Sequence, residues 1–374
     1  MIEEANVADP RLAKWAHVIC EYSVEIRPGD KVYLTTTPSA TPLVLELTRE
    51  IVQRGGYPQF LVNLPGVDEV FMRYAGEAQL KIEQPLLKKC IEEFDVRIAV
   101  GSSTNTKALS TIDPARVSMF TAAQRPLTQT FMRRQAAGEL RWVVTQFPTE
   151  AYAQDAEMSL REYEDFVLGA CLLNDPDPVA SWKAISAQQQ KLVDWLKGKK
   201  RISVTGPNCE MMVGIDGRTF INADGKRNFP DGEIFTGPEE TLTEGWVKFT
   251  YPAIYQGREV EGAELEFKTG RVVKAGAKKG EAFLIKMLDT DEGSRILGEF
   301  AIGTNYGIQK FTRNILFDEK IGGSIHMAVG AGYPDTGSKN QSAVHWDLIC
   351  DTRDGTEIKV DGVPFYRSGE FLIK

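Results

Sequence analysis

The sequence is poor in the residues on which most metal and redox sites depend. It has only three histidines, His17, His326 and His345, in 374 residues. Its five cysteines are widely scattered and no two of them form a CxxC pair, which excludes a zinc ribbon and a disulfide-stapled scaffold. Unpaired cysteines of this kind are typical of a reducing compartment, so we expect a cytoplasmic protein.

Long apolar runs and an excess of basic charge are also missing. The most apolar stretch, FVLGACLL at 166–173, is far shorter than the ~18 residues of a membrane span. The start, MIEEANVADP, is acidic and lacks the apolar core of a signal peptide. Lys and Arg number 44 against 52 Asp and Glu, which gives a net charge of −8. We therefore expect neither a nucleic acid nor an anionic membrane as a partner.

What remains is the composition of a globular protein, with 42% apolar and 26% charged residues and a length that suits two domains. In the first part, β-rich segments such as KVYLTTT (31–37) and RWVVTQF (141–147) alternate with helical periodicity. This alternation predicts an α/β domain with a largely parallel sheet at 1–180. A helical connector, which opens with a capping box at Ser159, extends this domain to about residue 200.

The second part has a different pattern. From residue 201 to residue 374, short β-runs are separated by glycine-containing turns, which predicts a mostly antiparallel, β-rich domain of the α+β class. Asp224-Gly225 and Lys268-Thr269-Gly270 have the composition of hairpin turns. Only the segment 281–298 is predicted to be helical, with a break near Gly293.

Several common catalytic motifs are absent from the sequence. There is no HExxH, no GxSxG, and no GxGxxG after a predicted strand. The glycines from Gly332 to Gly337 precede Ser338 and Lys339, but this order is not the GK[ST] of a phosphate-binding loop. The sequence therefore predicts neither a dinucleotide site nor a nucleotide phosphate site.

Two histidines and several carboxylates in the second part form the remaining candidate site. His345 and Asp347 are two residues apart on a predicted strand, so both side chains point to one face. A single histidine on a strand is usually a core residue, but a carboxylate buried beside it requires a partner or a cation. The other candidates are His326, Tyr333 seven residues after it, and three glutamates near strands and turns, Glu233, Glu299 and Glu319. Such a mixed nitrogen and oxygen set suits Zn, Co or Mn, although the residues alone do not say which glutamates belong to it.

These residues and their neighbours resemble the thermophilic metallo-aminopeptidases of the aminopeptidase T, aminopeptidase S and PepS type. The similarity covers essentially the whole chain. Its ordered segments include EYSVEIRPGDKVYL, NFPDGEIFTGP, GEFAIGTNYGI, ILFDEKIGG and NQSAVHWDL. The ordered set is far more specific than any one of these segments.

The resemblance implies two divalent metal ions per chain, with Zn, Co, Mn and Mg as the candidate metals. The ligands that it implies, by matching segments, are Glu233, Glu299 as the bridging carboxylate, Glu319, His326, His345 and Asp347. Tyr333 matches the catalytic tyrosine of the family and is expected to stabilise the oxyanion, and Glu299 is also the candidate general base. The implied reaction is removal of the N-terminal residue from short peptides by a metal-activated water, in a homodimer.

Three other functions account for parts of the pattern. The same site with a different pocket would hydrolyse another amide. A non-catalytic module would hold one structural metal. A single-iron oxygenase would use His326, His345 and Asp347 as a facial triad, but it leaves the three glutamates without a role.

Overall fold

The computed structural model describes residues 9–373, which fall into two units. Residues 9–179 and 225–229 form the first unit, and residues 180–224 and 230–373 form the second. The first eight residues, from which we expect no signal peptide, lie outside the described part of the chain. Within that part, no helix combines the length and the apolar character needed to cross a bilayer.

The helices and strands follow one another in the two-part pattern that the sequence predicts. The helices of residues 9–373 are α1 (Pro10–Val18), α2 (Thr41–Gln53), α3 (Val67–Tyr74), α4 (Glu77–Leu80), α5 (Pro85–Glu93), α6 (Pro114–Ala123), α7 (Arg125–Ala136), α8 (Glu150–Asp155), α9 (Leu160–Ala170), α10 (Pro178–Leu196), α11 (Glu281–Leu288) and α12 (Ile315–Asp318). Short helical turns lie at Ile19–Ser23, Pro38–Ala40 and Pro334–Thr336. The strands are β1 (Lys31–Thr36), β2 (Tyr57–Val62), β3 (Val96–Gly101), β4 (Arg141–Gln146), β5 (Arg201–Gly206), β6 (Cys209–Gly214), β7 (Ile221–Ala223), β8 (Asn228–Phe229), β9 (Glu233–Thr236), β10 (Thr243–Lys248), β11 (Ala253–Tyr255), β12 (Arg258–Val260), β13 (Glu264–Lys268), β14 (Arg271–Gly276), β15 (Leu297–Gly303), β16 (Ser324–Gly330), β17 (His345–Asp351), β18 (Glu357–Val360), β19 (Val363–Arg367) and β20 (Glu370–Phe371).

The first unit contains a five-stranded sheet in the order β2-β1-β3-β4-β8. Every described pairing in it is parallel, because helices connect its first four strands and return the chain to the same edge. The predicted parallel α/β layer is therefore confirmed. The capping box at Ser159 is present as well, since its hydroxyl accepts from the backbone N–H of Glu162 and opens α9.

The turn at Asp224-Gly225 does not close a hairpin, so that prediction is wrong. The strand before it, β7, pairs with β9 in an antiparallel sheet. The strand after it, β8, adds to β4 in the parallel sheet, with Val144 opposite Asn228. The physical reason is that the chain passes from one sheet to the other at this turn, which turn composition alone does not reveal.

The second unit is built from antiparallel strands, as predicted. An eight-stranded sheet has the order β14-β13-β10-β6-β5-β18-β19-β20, a five-stranded sheet has the order β17-β16-β15-β9-β7, and β11 pairs with β12. One apolar core joins residues of both large sheets, such as Val204 and Phe300. Leu192, Val193 and Leu196 of α10 belong to the same core, so the second helix of the predicted connector packs on the second unit.

Two local features show how sequence sets the strand ends in this unit. The hairpin at Thr269 and Gly270 joins β13 to β14, and Gly270 has φ of 76° with the carbonyl of Glu240 where a Cβ would lie. By contrast, the predicted helix over 281–298 ends at Leu288, and β15 begins at Leu297. Asp291 accepts hydrogen bonds from Gly293 N–H and the Ser294 hydroxyl, which stabilises a turn instead of a further helical turn.

Candidate metal centre

The predicted site residues of three neighbouring strands project from one face of the five-stranded sheet. Glu299 of β15 lies opposite Ala328 of β16, which in turn lies opposite Asp347 of β17. His326 precedes Ala328 by two residues, and His345 precedes Asp347 by two. Because side chains alternate along a strand, all four polar side chains lie on the same face.

Glu233 joins this face from the fourth strand. It opens β9 opposite Gly303, which is four residues beyond Glu299 on β15 and so has the same orientation. The positions between the polar side chains on this face are small, Ala301, Gly303 and Ala328, and they leave room around the cluster. The opposite face is apolar and packs into the core through Phe300, Ile302, Ile325, Met327, Trp346 and Leu348.

Glu299 is shared between the two imidazoles. Its Oε1 is 3.6 Å from Nε2 of His326, and its Oε2 is 3.3 Å from Nε2 of His345. The Nε2 of His326 is also 3.2 Å from Oε2 of Glu233, and the Nε2 of His345 is 3.6 Å from Oδ1 of Asp347. Each imidazole therefore faces one carboxylate of its own and one oxygen of Glu299.

Together with Glu319, these side chains form three overlapping groups of potential ligands. In each group the ligand atoms lie within 4.8 Å of one another. The groups are Glu233, Glu299 and His326; Glu299, His345 and Asp347; and Glu319, His326 and Asp347. The structure thus brings together all six residues that the resemblance matches to metal ligands.

Glu319 reaches the cluster from a loop instead of a strand. It directly follows the one-turn helix α12, which Asn314 caps by accepting from the backbone N–H of Leu316. The buried carboxylate of Asp318 accepts from the backbone N–H groups of Thr312 and Asn314 and from the Thr312 hydroxyl, which fixes the loop.

The segment after Glu319 crosses close above the end of β15. A Cβ at Gly303 would lie 2.2 Å from the carbonyl oxygen of Ile321, so only glycine allows this approach.

Tyr333 stands at the rim of the cluster. Its ring centroid is 5.1 Å from that of His345 and 5.5 Å from that of Phe235. The residue is 44% exposed, and its hydroxyl forms no hydrogen bond within residues 9–373. Partial burial, together with the carboxylates nearby, raises the pKa of Tyr333, so the hydroxyl stays protonated and can donate a hydrogen bond.

Comparison with known proteins identifies the family. Residues 8–371 match the thermophilic metalloprotease (M29) family. The chain belongs to this family. Aminopeptidase 2 of Geobacillus stearothermophilus is 27% identical over 99% of both chains, and aminopeptidase T of Thermus aquaticus is 29% identical over 77% of this chain and 79% of its own. The resemblance to metallo-aminopeptidases is therefore confirmed, and the M29 chain is a metal-dependent peptidase by family.

Solved structures show the same fold. Wild-type AmpT from Thermus thermophilus has a TM-score of 0.86 at 23% identity, over 97% of this chain and 99% of its own. The 2,5-dihydroxypyridine dioxygenase of Pseudomonas putida KT2440 has a TM-score of 0.61 at 12% identity, over 99% of both chains. At these identities the likeness concerns the fold alone.

The pKa values of the candidate ligands are shifted in different directions. Burial raises the pKa of Glu233 to about 8 and that of Asp347 to about 6. Burial also acts to raise the pKa of Glu299, but the facing imidazoles of His326 and His345 outweigh it and lower that pKa to about 2. Burial by itself lowers the pKa of a histidine, yet the facing carboxylates raise the pKa of His326 to about 9 and that of His345 to about 10.

Sequence reasoning missed two charged residues of the site, Lys320 and Asp231. Lys320 is fully buried, and its Nζ lies 3.1 Å from Oε1 of Glu233, 3.5 Å from Oδ1 of Asp231, and in contact with Oε1 of Glu319. Burial acts to lower the pKa of Lys320, but the three carboxylates outweigh it and hold the pKa well above the usual range. Nearness to predicted ligands is the only signal in the sequence: Lys320 directly follows Glu319, and Asp231 lies two residues before Glu233.

The ligand atoms of the six cluster residues suit divalent cations. Three buried atoms form no hydrogen bond within the described chain: Oε2 of Glu233, Nδ1 of His326 and Oδ1 of Asp347. Such atoms are costly unless they bind something. His345 donates from Nδ1 to the carbonyl of Ala331 at 2.7 Å, which leaves Nε2 as its free ligand atom.

Proposed function

We propose that this chain is an aminopeptidase that removes the N-terminal residue of short peptides with two divalent cations. The observation that carries the proposal is the position of Glu299, whose two oxygens face different imidazoles. A carboxylate shared in this way would offer one oxygen to a cation beside each imidazole. The proposed ligands are the six residues of the three groups, Glu233, Glu299, Glu319, His326, His345 and Asp347.

The charge of the proposed ligands supports two cations instead of one. Four carboxylates carry a formal charge of −4, which two divalent ions balance. Asp231 and Lys320, which also lie in the cluster, cancel each other. When bound, such cations lower the pKa of a water and polarise the carbonyl of the scissile bond.

The protein's own side chains supply the remaining chemistry of the proposal. Tyr333 donates its protonated hydroxyl to the oxyanion that forms at the scissile carbonyl. A carboxylate of the cluster attracts the free α-amine of the substrate, which explains why an internal peptide bond would not be cut. The pKa of Glu299, lowered to about 2, favours its role as a ligand over that of a general base.

The proposal is tested by metal analysis combined with activity. The chain should bind two divalent ions and cleave an aminoacyl-anilide, lose activity with a chelator, and regain it with Zn²⁺, Co²⁺, Mn²⁺ or Mg²⁺. The N-acetylated anilide should not be cleaved. His345→Ala should abolish activity, whereas His17→Gln, a change at an exposed histidine of the first unit, should not.

Other outcomes of this experiment assign other functions. Equal cleavage of the free and the acetylated anilide would indicate a hydrolase of another amide. One tightly held ion without hydrolysis would indicate a binding module. Metal-dependent oxygen consumption would indicate an oxygenase, a chemistry to which the dioxygenase of the same fold draws attention, although the three glutamates do not suit a facial triad. The homodimer that the resemblance implies is part of the proposal, and sedimentation equilibrium tests it.

A further inference from the structure

Lys320 divides the candidate ligands into two classes. Its ammonium contacts Glu233 in one of the three groups and Glu319 in another. In the third group, Glu299, His345 and Asp347, no carboxylate lies within ion-pair distance of Lys320, as far as the described residues show. Neither carboxylate of this third group is paired with the ammonium, whereas each of the other two groups shares one carboxylate with this fixed positive charge.

The ammonium is a permanent part of the cluster. Lys320 has no exposed surface, so its charge is not solvated by water and depends on the three carboxylates around it. Oε1 of Glu233 faces Lys320, and Oε2 of the same carboxylate faces His326. A cation held by Glu233 would thus be separated from the ammonium by a single carboxylate.

We propose that Lys320 is a positioning residue that acts as an internal counter-cation and sets the order in which two divalent cations bind. The group of Glu299, His345 and Asp347 binds the first cation tightly. The groups that contain His326 bind the second more weakly, because the ammonium contacts Glu233 and Glu319 directly and repels a nearby cation in a poorly screened site. Asp231 balances the formal charge of the ammonium but belongs to none of the three groups. This inference rests on the proposed function, since it requires two cations per chain.

The wild-type protein supplies the first test. Full-length protein stripped by a chelator is titrated with Co²⁺, and heat and Co²⁺ absorption are followed together. We expect two steps whose dissociation constants differ by at least about tenfold. His345 belongs only to the group with Glu299 and Asp347, so His345→Ala should remove the tight step. Glu319 belongs only to the group with His326 and Asp347, so Glu319→Gln should leave the tight step in place.

The second test changes the charge at position 320. Lys320→Met has a similar length but no charge, so the second step should tighten until the two dissociation constants differ by less than about threefold. Lys320→Arg keeps the charge, so its two dissociation constants should differ as much as those of the wild type. Lys279→Met is the matched control, because Lys279 also contacts two carboxylates, Glu259 and Glu261, but is exposed.

The possible results are separable. The role of Lys320 is overturned if the two dissociation constants of Lys320→Met differ as much as in the wild type, or more. It is also overturned if His345→Ala loses the weak step. Both results leave a two-metal peptidase intact. Two equal steps in the wild type overturn the role of Lys320 as well. Binding of fewer than two ions by the wild type refutes both this inference and the proposed function. If Lys320→Met does not fold, the His345 and Glu319 variants still decide the order of binding.

Discussion

Replacing Tyr333 by Phe removes a single oxygen atom from the rim of the candidate metal centre. The ring would keep its edge contacts with His345 and Phe235, whose centroids lie 5.1 Å and 5.5 Å away. The lost hydroxyl forms no hydrogen bond within the described chain and belongs to a residue that is 44% exposed. We therefore expect the free energy of unfolding to change by less than about 0.5 kcal/mol.

The expected effect on catalysis is much larger. Loss of one donor to a developing oxyanion typically lowers kcat by about 10² to 10³, or about 2.7 to 4 kcal/mol of transition-state stabilisation. The raised pKa of Tyr333 keeps the donor protonated at neutral and alkaline pH, so the loss should be similar across that range. Bound metal should not change, because Tyr333 belongs to none of the three ligand groups.

The assay is steady-state hydrolysis of an aminoacyl-anilide by metal-loaded protein, with bound metal counted by mass spectrometry. Tyr306→Phe is the control, since Tyr306 is 48% exposed in the same unit and donates its hydroxyl to the carbonyl of Gly369 at 2.7 Å. The control should lose stability, by about 1 kcal/mol for one hydrogen bond, and keep its kcat. A Tyr333→Phe protein with kcat within about threefold of the wild type, or with less bound metal, would refute the assigned role.

Three further predictions concern the cluster and its support. Glu299→Gln should lower the bound divalent cations from two to at most one, as counted by mass spectrometry, and retention of two would show that Glu299 is not shared. Chelator-treated protein should lose stability at alkaline pH, because folding raises the pKa of His326 to about 9 and that of His345 to about 10. The ion pairs of these protonated histidines stabilise the fold fully below about pH 6.5, and their contribution is lost as the pH rises through those two values. Denaturant unfolding at about pH 6 and about pH 10 measures this loss, and equal stabilities would contradict it. Trp346→Ala should lower the free energy of unfolding by about 3 to 5 kcal/mol in the same denaturant assay. Trp346 is buried and packs against Tyr255 and Phe283 on the strand that carries His345 and Asp347. A decrease below about 1 kcal/mol would show that neighbouring side chains fill the cavity.

Local patterns predicted much of the fold and part of the site. The alternation of apolar and polar residues around Trp346 predicted that His345 and Asp347 share a face, and the register of β16 and β17 bears this out. Turn composition succeeded at Lys268-Thr269-Gly270, where both flanking strands belong to one sheet. It failed at Asp224-Gly225, where the same composition joins strands of different sheets.

The amino-acid sequence by itself determined the two structural classes along the chain, because periodicity is a local property. Its ordered segments also carry the resemblance that implies the family and the six candidate ligands. Which oxygen of Glu299 faces which imidazole depends on antiparallel pairing between strands that lie tens of residues apart in the chain, so only the tertiary structure decided it. Lys320 makes the same point for charge: next to Glu319 in the sequence it reads as an ordinary surface lysine. Only the folded chain removes it from water and places its ammonium against Asp231 and Glu233, close to 90 residues away.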